Sequence, residues 1–181
     1  MLLDASKASL LLIDIQDRLL PAMVDGGQVV ARSSILLKAA AILGVPVTIS
    51  EQYPKGLGHT VAALQTNTAT TFEKLSFSCW RDDALKTHFI NFHEQGRPLV
   101  IVAGIEAHVC VLQTCIDLAN AGFGVFAVAD AMSSRKPESA KLAFERMRAV
   151  GVEIVNTEMV VFELLERAGT VEFKALSGLI R

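Results

Sequence analysis

Residues 98-PLVIVAGIEAHVCVLQTCIDLANA-121 join an apolar run (98–105) to a helical pattern (107–121) through one acid, Glu106. The run is apolar at nearly every position instead of alternating. A strand of that kind is buried on both faces, as in a parallel sheet clothed by helices on either side. Working outward, the same alternation of strand and helix fills the chain. Apolar, β-rich runs stand at 9–15 (SLLLIDI), 46–50 (PVTIS), 123–129 (FGVFAVA) and 152–156 (VEIVN), with a weaker one at 70–74 (TTFEK). Helical patterns lie between them. Residues 28–43 place Val29, Leu36, Ala40 and Leu43 near one face and stop at Gly44. Residues 137–150 open on Pro137 and set Ala140, Ala143, Phe144 and Met147 at i, i+3, i+4 and i+7. Further helices are expected over 80–94, 107–121 and 158–167. The rhythm demands right-handed crossovers, so the expected fold is α/β, a doubly wound, mostly parallel six-stranded sheet in a single domain over 1–181. Residues 51–70 are too polar and glycine-bearing for a plain crossover, and excursions of that kind tend to carry function.

The totals agree with this layout. Hydrophobic residues make up 51% of the 181, charged residues 20%, and the mean hydropathy is +0.42; buried strands account for the high value. Asp14 and Glu106 interrupt the two most apolar stretches, leaving no continuous run of the ~20 residues a membrane span needs. The first residues carry neither a basic region nor a small-residue cleavage site, so a cytoplasmic location is expected. A net charge of −2 and a pI near 6.1 leave no footprint for nucleic acid or anionic lipid. The three cysteines, an odd number, fit a reducing compartment.

In such sheets ligands sit beyond the carboxyl ends of the strands where strand order reverses. The polar residues there are Asp14 and Gln16, Glu51, Lys74, Glu106 to Cys110, and Asp130. Cys110 falls in the first turn of a helix, where unpaired N–H groups and the helix dipole favour a thiolate and are placed to hold an oxyanion. The other reading of Cys110 is a buried structural cysteine, which is how Cys79 and Cys115 are read. Asp14 is either a cap for the next turn or a general base whose pKa is raised by burial. Lys74 is either a surface lysine or, pointing inward, the partner of Asp14 that offsets negative charge on the thiolate and the oxyanion. Asp17 and Asp130 read as loop acids or caps, and His88 and His93 as surface residues.

Three motifs, LLLIDIQ at 10–16, EK followed by an aromatic and serine segment from 73, and GIEAHVCV at 104–111, resemble in their order the isochorismatase-like cysteine hydrolases. The resemblance runs from Ser9 to about Phe162, and SEQYPKGLG most resembles the isochorismatase domain-containing branch. It implies strand order 3-2-1-4-5-6, a catalytic triad of Asp14, Lys74 and Cys110, a cis peptide at Ile105–Glu106, and an oxyanion site formed by the N–H groups of Glu106 and Cys110. The implied activity is hydrolysis of a small amide-type substrate through a thioester, without a cofactor, in a homo-oligomer. Nicotinamidase-type relatives hold a metal on an Asp-x-His pair and a further His. Here the matching residues are Glu51, Tyr53 and His59, the central His is lacking, and no metal is expected. Members that cleave isochorismate lack the cysteine, so its presence favours amide chemistry.

Gln16, Tyr53, Ser78 and Trp80 are further pocket candidates, each equally open to a role in packing or loop hydrogen bonding. His108 lies two residues from Cys110, a spacing that does not face it on a helix, and reads as solvated or at an interface. Helix 107–121 is apolar on two sides, with Val109, Leu112 and Ile116 on one and Val111, Cys115 and Leu118 on the other. An expected second copy covers what one chain leaves open. The rivals on the same scaffold are an idle interaction protein and a redox-sensing thiol.

Overall fold

In the computed structural model, which describes residues 1–180, six strands form one sheet: β1 (Ala8–Ile13), β2 (Val47–Gln52), β3 (Ala69–Lys74), β4 (Leu99–Ile105), β5 (Gly124–Ser133) and β6 (Glu153–Val155). Their order is β3-β2-β1-β4-β5-β6 and every neighbouring pair is parallel. Strand order reverses between β1 and β4, and both strands are buried at every position. The period of two sends alternate residues to opposite cores. Leu10, Leu12 and Ile101 meet α1 (Gly26–Leu43) and α6 (Thr157–Leu165) on one side. Leu11, Ile13, Val100 and Val102 meet α3 (Asp83–Glu94), α4 (Leu112–Asn120) and α5 (Pro137–Ala149) on the other. Two short helices, α2 (Pro54–Leu57) and α7 (Val171–Leu176), complete the set. Helix α1 has the length and hydropathy of a short membrane span. Its Val29, Leu36, Ala39 and Ala40 are nevertheless buried within the protein.

Gly104 brings β4 against β1. Its φ is +130°, and a Cβ there would lie 2.2 Å from the carbonyl oxygen of Ile13. The β4–β5 register also shifts between Val102 and Gly104. That irregularity carries β5 to Ser133, past the expected limit at 129. Asp130 is accordingly within the strand, where its Oδ1 accepts from the N–H and hydroxyl of Thr157 and caps α6. The expected helix over 107–121 divides into a π turn, Ala107–Val111, and α4. The expected helix at 80–94 starts later, because Asp82 caps α3 by accepting from Ala84 and Leu85 N–H. His88 is not a surface residue: it is half-buried, bonds Thr48 Oγ1 at 2.9 Å and packs on Phe72 and Phe92.

Candidate active site

Asp14 leaves β1 with φ +54°, a left-handed conformation that non-glycine residues seldom adopt. The turn brings its carboxylate over the ends of β2 and β3. There Oδ1 accepts from Ser50 Oγ at 2.7 Å and Oδ2 from Lys74 Nζ at 2.7 Å. Both side chains of the ion pair are fully enclosed. An ammonium has three donors, and Lys74 uses all of them on the protein. The first goes to Asp14, the second to Gln52 Oε1 at 2.8 Å, and the third is shared between the carbonyls of Ser76 and Phe77 at 3.3 and 3.2 Å. Nothing remains for a substrate oxygen.

Cys110 sits on the π turn beyond β4, 5% exposed, close enough to Asp14 and Lys74 for both charges to act on its thiol. Thr114 Oγ1 donates to the Cys110 carbonyl at 2.7 Å and accepts from the Cys79 N–H at 2.9 Å, tying this turn to the segment after β3. The structure therefore brings Asp14, Lys74 and Cys110 together from three strand ends. The charge state differs from the sequence expectation. Burial, and then the negative charge of Asp14, push the Cys110 thiol well above its ordinary range, so it rests as a thiol. The dipole of a single irregular turn does not offset burial and a nearby carboxylate. Burial also raises the Asp14 carboxyl, against the pull of Lys74 and Ser50. For Lys74, burial works downward, while the Asp14 carboxylate and then the Cys79 and Cys110 sulfurs work upward, and together they hold the ammonium above its usual value. A carboxylate with raised proton affinity beside a thiol has the character of a base for that thiol's proton.

The Ile105–Glu106 peptide is cis. The Glu106 carboxylate turns away from the thiol and binds Arg135, accepting from its backbone N–H at 3.1 Å and from Nε at 3.0 Å, with Nη2 at 3.0 Å. His108 Nδ1 lies 2.9 Å from Ser134 Oγ, so the histidine is bonded and half-buried, neither simply solvated nor facing the cysteine.

The other pocket candidates divide. The Gln16 amide is fully engaged with Gln52 N–H and the carbonyls of Gln52 and Gly58, so it is a clamp on the loop. Trp80 packs edge-on to Phe123 with Lys86 over its ring. Ser78 Oγ is buried without a well-formed hydrogen bond, near the Asp117 carboxylate. Tyr53 borders a groove of about 530 Å³ that also reaches Lys74, Leu75 and Ser76. Sequence reasoning missed Ser50, Gln52 and Thr114, each a short polar side chain whose role depends on partners at least four residues away.

The donors do not fit a metal. Glu51 Oε1 is held by the Thr60 N–H and hydroxyl and Oε2 by His59 Nδ1. Among the described residues no third His, Cys, Asp or Glu completes a cluster with them. Helix 107–121 is also better covered than expected. Val111, Leu112, Cys115 and Leu118 are buried within the chain, and Val109, Ile116 and Ala119 are half-buried. The exposed apolar residues near the site are Tyr53, Leu75 and Phe77.

The isochorismatase domain family model matches residues 8–159. Isochorismatase domain-containing protein 1 of Danio rerio is 37% identical over 169 residues, which is 93% of this chain and 59% of that protein. The secreted isochorismatase effector Isc1 of Phytophthora sojae is 36% identical over 90% of this chain and 76% of its own length. Among solved structures, that of the MAR1 ribonuclease from Caenorhabditis elegans has a TM-score of 0.91 at 32% identity, covering 99% of this chain and 92% of that one.

Proposed function

The chain belongs to the isochorismatase family, and from that premise we propose that it is a cysteine hydrolase cleaving a small amide-type C–N bond through a thioester on Cys110. The observation that carries this reading is the buried Asp14 carboxylate, which bonds the Lys74 ammonium at 2.7 Å and stands near enough to the Cys110 thiol to raise it. As the sulfur attacks the carbonyl carbon, its proton passes to Asp14 and a tetrahedral oxyanion forms. The N–H groups of Glu106 and Cys110 hold that oxyanion. Collapse breaks the C–N bond, the departing nitrogen takes the proton from Asp14, and an acyl thioester remains. Asp14 then deprotonates water, which releases the acid and restores the thiol. Lys74 has no donor left for the substrate, so its part is to offset the proton affinity that burial gives Asp14 and to fix the loop at Ser76 and Phe77.

The test is a panel of small amides and imides with intact-mass detection. The expected result is a mass gain equal to the acyl group on wild type and none on Cys110→Ala. Undiminished hydrolysis by Cys110→Ala would overturn the reading. Likeness to a protein named as a ribonuclease motivates one other activity. The net charge of −2 and the depth of Cys110 weigh against a polyanionic substrate. RNA cleavage that survives Cys110→Ala would favour it instead. An idle scaffold would form no adduct with any amide, and a redox sensor would form a reversible sulfenate under peroxide. Three free cysteines support a reducing, cytoplasmic setting. Self-association is part of the proposal, and its support moves from the covered helix to Tyr53, Leu75 and Phe77 beside the site.

A further inference from the structure

On the other side of the Cys110 turn lies a cavity of about 330 Å³ lined by His108, Arg135, Lys136 and Ser139. Every one of these side chains offers hydrogen-bond donors, and none is a carboxylate. Two of them are held by buried neighbours. Arg135 is fixed through Nε and Nη2 on Glu106, which is 6% exposed, leaving the Nη1 donors free. His108 is fixed through Nδ1 on Ser134, which is 2% exposed. That Ser134 hydroxyl makes its one well-formed side-chain contact with Nδ1. A hydroxyl donating there leaves Nδ1 the acceptor and places the imidazole proton on Nε2, as a further donor. The charges do not cancel. Glu106 answers Arg135, whereas Lys136 forms no ion pair among the described residues and leaves the cavity with a net positive charge.

We infer that this cavity binds a small oxyanion, a carboxylate or phosphate group, on the turn that carries Cys110. A lining of four donor-bearing side chains and one uncompensated cation matches the tetrahedral or planar oxygens of such a group. Its position gives it a use under the proposed hydrolase reading, as the anchor for an acidic group on the substrate, but the site itself does not depend on hydrolysis.

Inorganic phosphate is the probe, titrated into the full-length protein while His108 and backbone resonances of 106–110 and 134–139 are followed by NMR. Saturable shifts confined to those residues are expected. Affinity should fall roughly tenfold in Lys136→Gln and be kept in Lys136→Arg, the loss of one charge-assisted contact. Absence of saturation, or a Lys136→Gln titration that matches wild type, would overturn the inference, and neither outcome bears on whether Cys110 forms a thioester. Alkylation then separates the two sources of the anion. If the cavity anchors a group carried by the substrate, iodoacetate gains on iodoacetamide at Cys110, and phosphate or Lys136→Gln abolishes the gain. If it takes the free ion, phosphate binds and that gain is absent.

Discussion

The Lys74 ammonium and the Asp14 carboxylate meet at 2.7 Å with neither side chain reached by solvent. A pair so placed is costly to break from one side, since the survivor is left as an uncompensated buried charge. Lys74→Met should therefore destabilise the protein by about 3–5 kcal/mol, and the double variant Asp14→Asn/Lys74→Met should recover part of that loss. Urea denaturation of the four proteins checks this. Equal stability of Lys74→Met and wild type would mean that the pair is not buried in solution.

Asp14 raises the Cys110 thiol and, in the proposed mechanism, takes its proton, so its removal should act in opposite directions on two measurements. In wild type, iodoacetamide labelling of Cys110 should keep rising past pH ~8.5, the ordinary thiol value, with no plateau below it. In Asp14→Asn the labelling profile should move to lower pH, because the opposing carboxylate charge is gone. Amide hydrolysis by the same variant should fall by about 100-fold or more, since the general base is lost. Peptide mapping after timed labelling gives the first measurement, and turnover of the substrate found in the amide panel gives the second.

Glu51, near the end of β2, and His59, on the excursion that follows, form a second pair at 2.9 Å. Hydrogen bonds from Thr60 and the nearby His59 hold Glu51 below its ordinary value of 4.5 in spite of burial. His59 is raised above 6.5, first by its hydrogen bond to Glu51. The depressed acid contributes stability that is present above 4.5 and is lost as pH falls. The raised histidine contributes stability that is present below 6.5 and is lost as pH climbs through its folded value. His59→Ala should flatten the decline in Tm on the alkaline side of pH 6.5. An unchanged slope there would remove the pair from any account of pH stability.

Gly104→Ala should be among the most damaging small substitutions. Its Cβ would meet the Ile13 carbonyl oxygen at 2.2 Å and the Ile13 nitrogen at 2.7 Å, both backbone atoms that cannot step aside, and φ is +130°. A loss above about 3 kcal/mol, or failure to fold, is expected. Circular dichroism and denaturation of purified protein decide it.

Sedimentation at micromolar and nanomolar concentration tests self-association. Leu75 is 75% and Phe77 54% exposed, on the loop held by Lys74. Leu75→Ser/Phe77→Ser should weaken assembly while leaving chain stability nearly intact. A fully active 19.5 kDa species at both concentrations would show that one chain suffices.

Much of this molecule is legible residue by residue along the chain. The unbroken apolar runs at 9–15 and 98–105 required strands buried on two faces, and their alternation with helical periods required a parallel sheet. Asp14, Lys74 and Cys110 were legible as strand-end polar residues and by resemblance. Ser50 and Gln52 were not, because a serine and a glutamine at the end of a strand look like any others until the strands are laid side by side.

The sequence by itself determined the elements, their order and which polar residues stand at the strand ends, because hydrophobic period and motif spacing are properties of neighbours along the chain. The tertiary structure alone decided how those groups are charged and what they are free to do. Cys110 rests as a thiol because Asp14, from another strand, faces it in a buried site. Lys74 has no donor to offer a substrate because Gln52 and the Ser76–Phe77 carbonyls close around it. The proton affinity of an enclosed group is set by every charge and dipole within a few ångströms, and here the largest of those contributions come from residues far away in sequence.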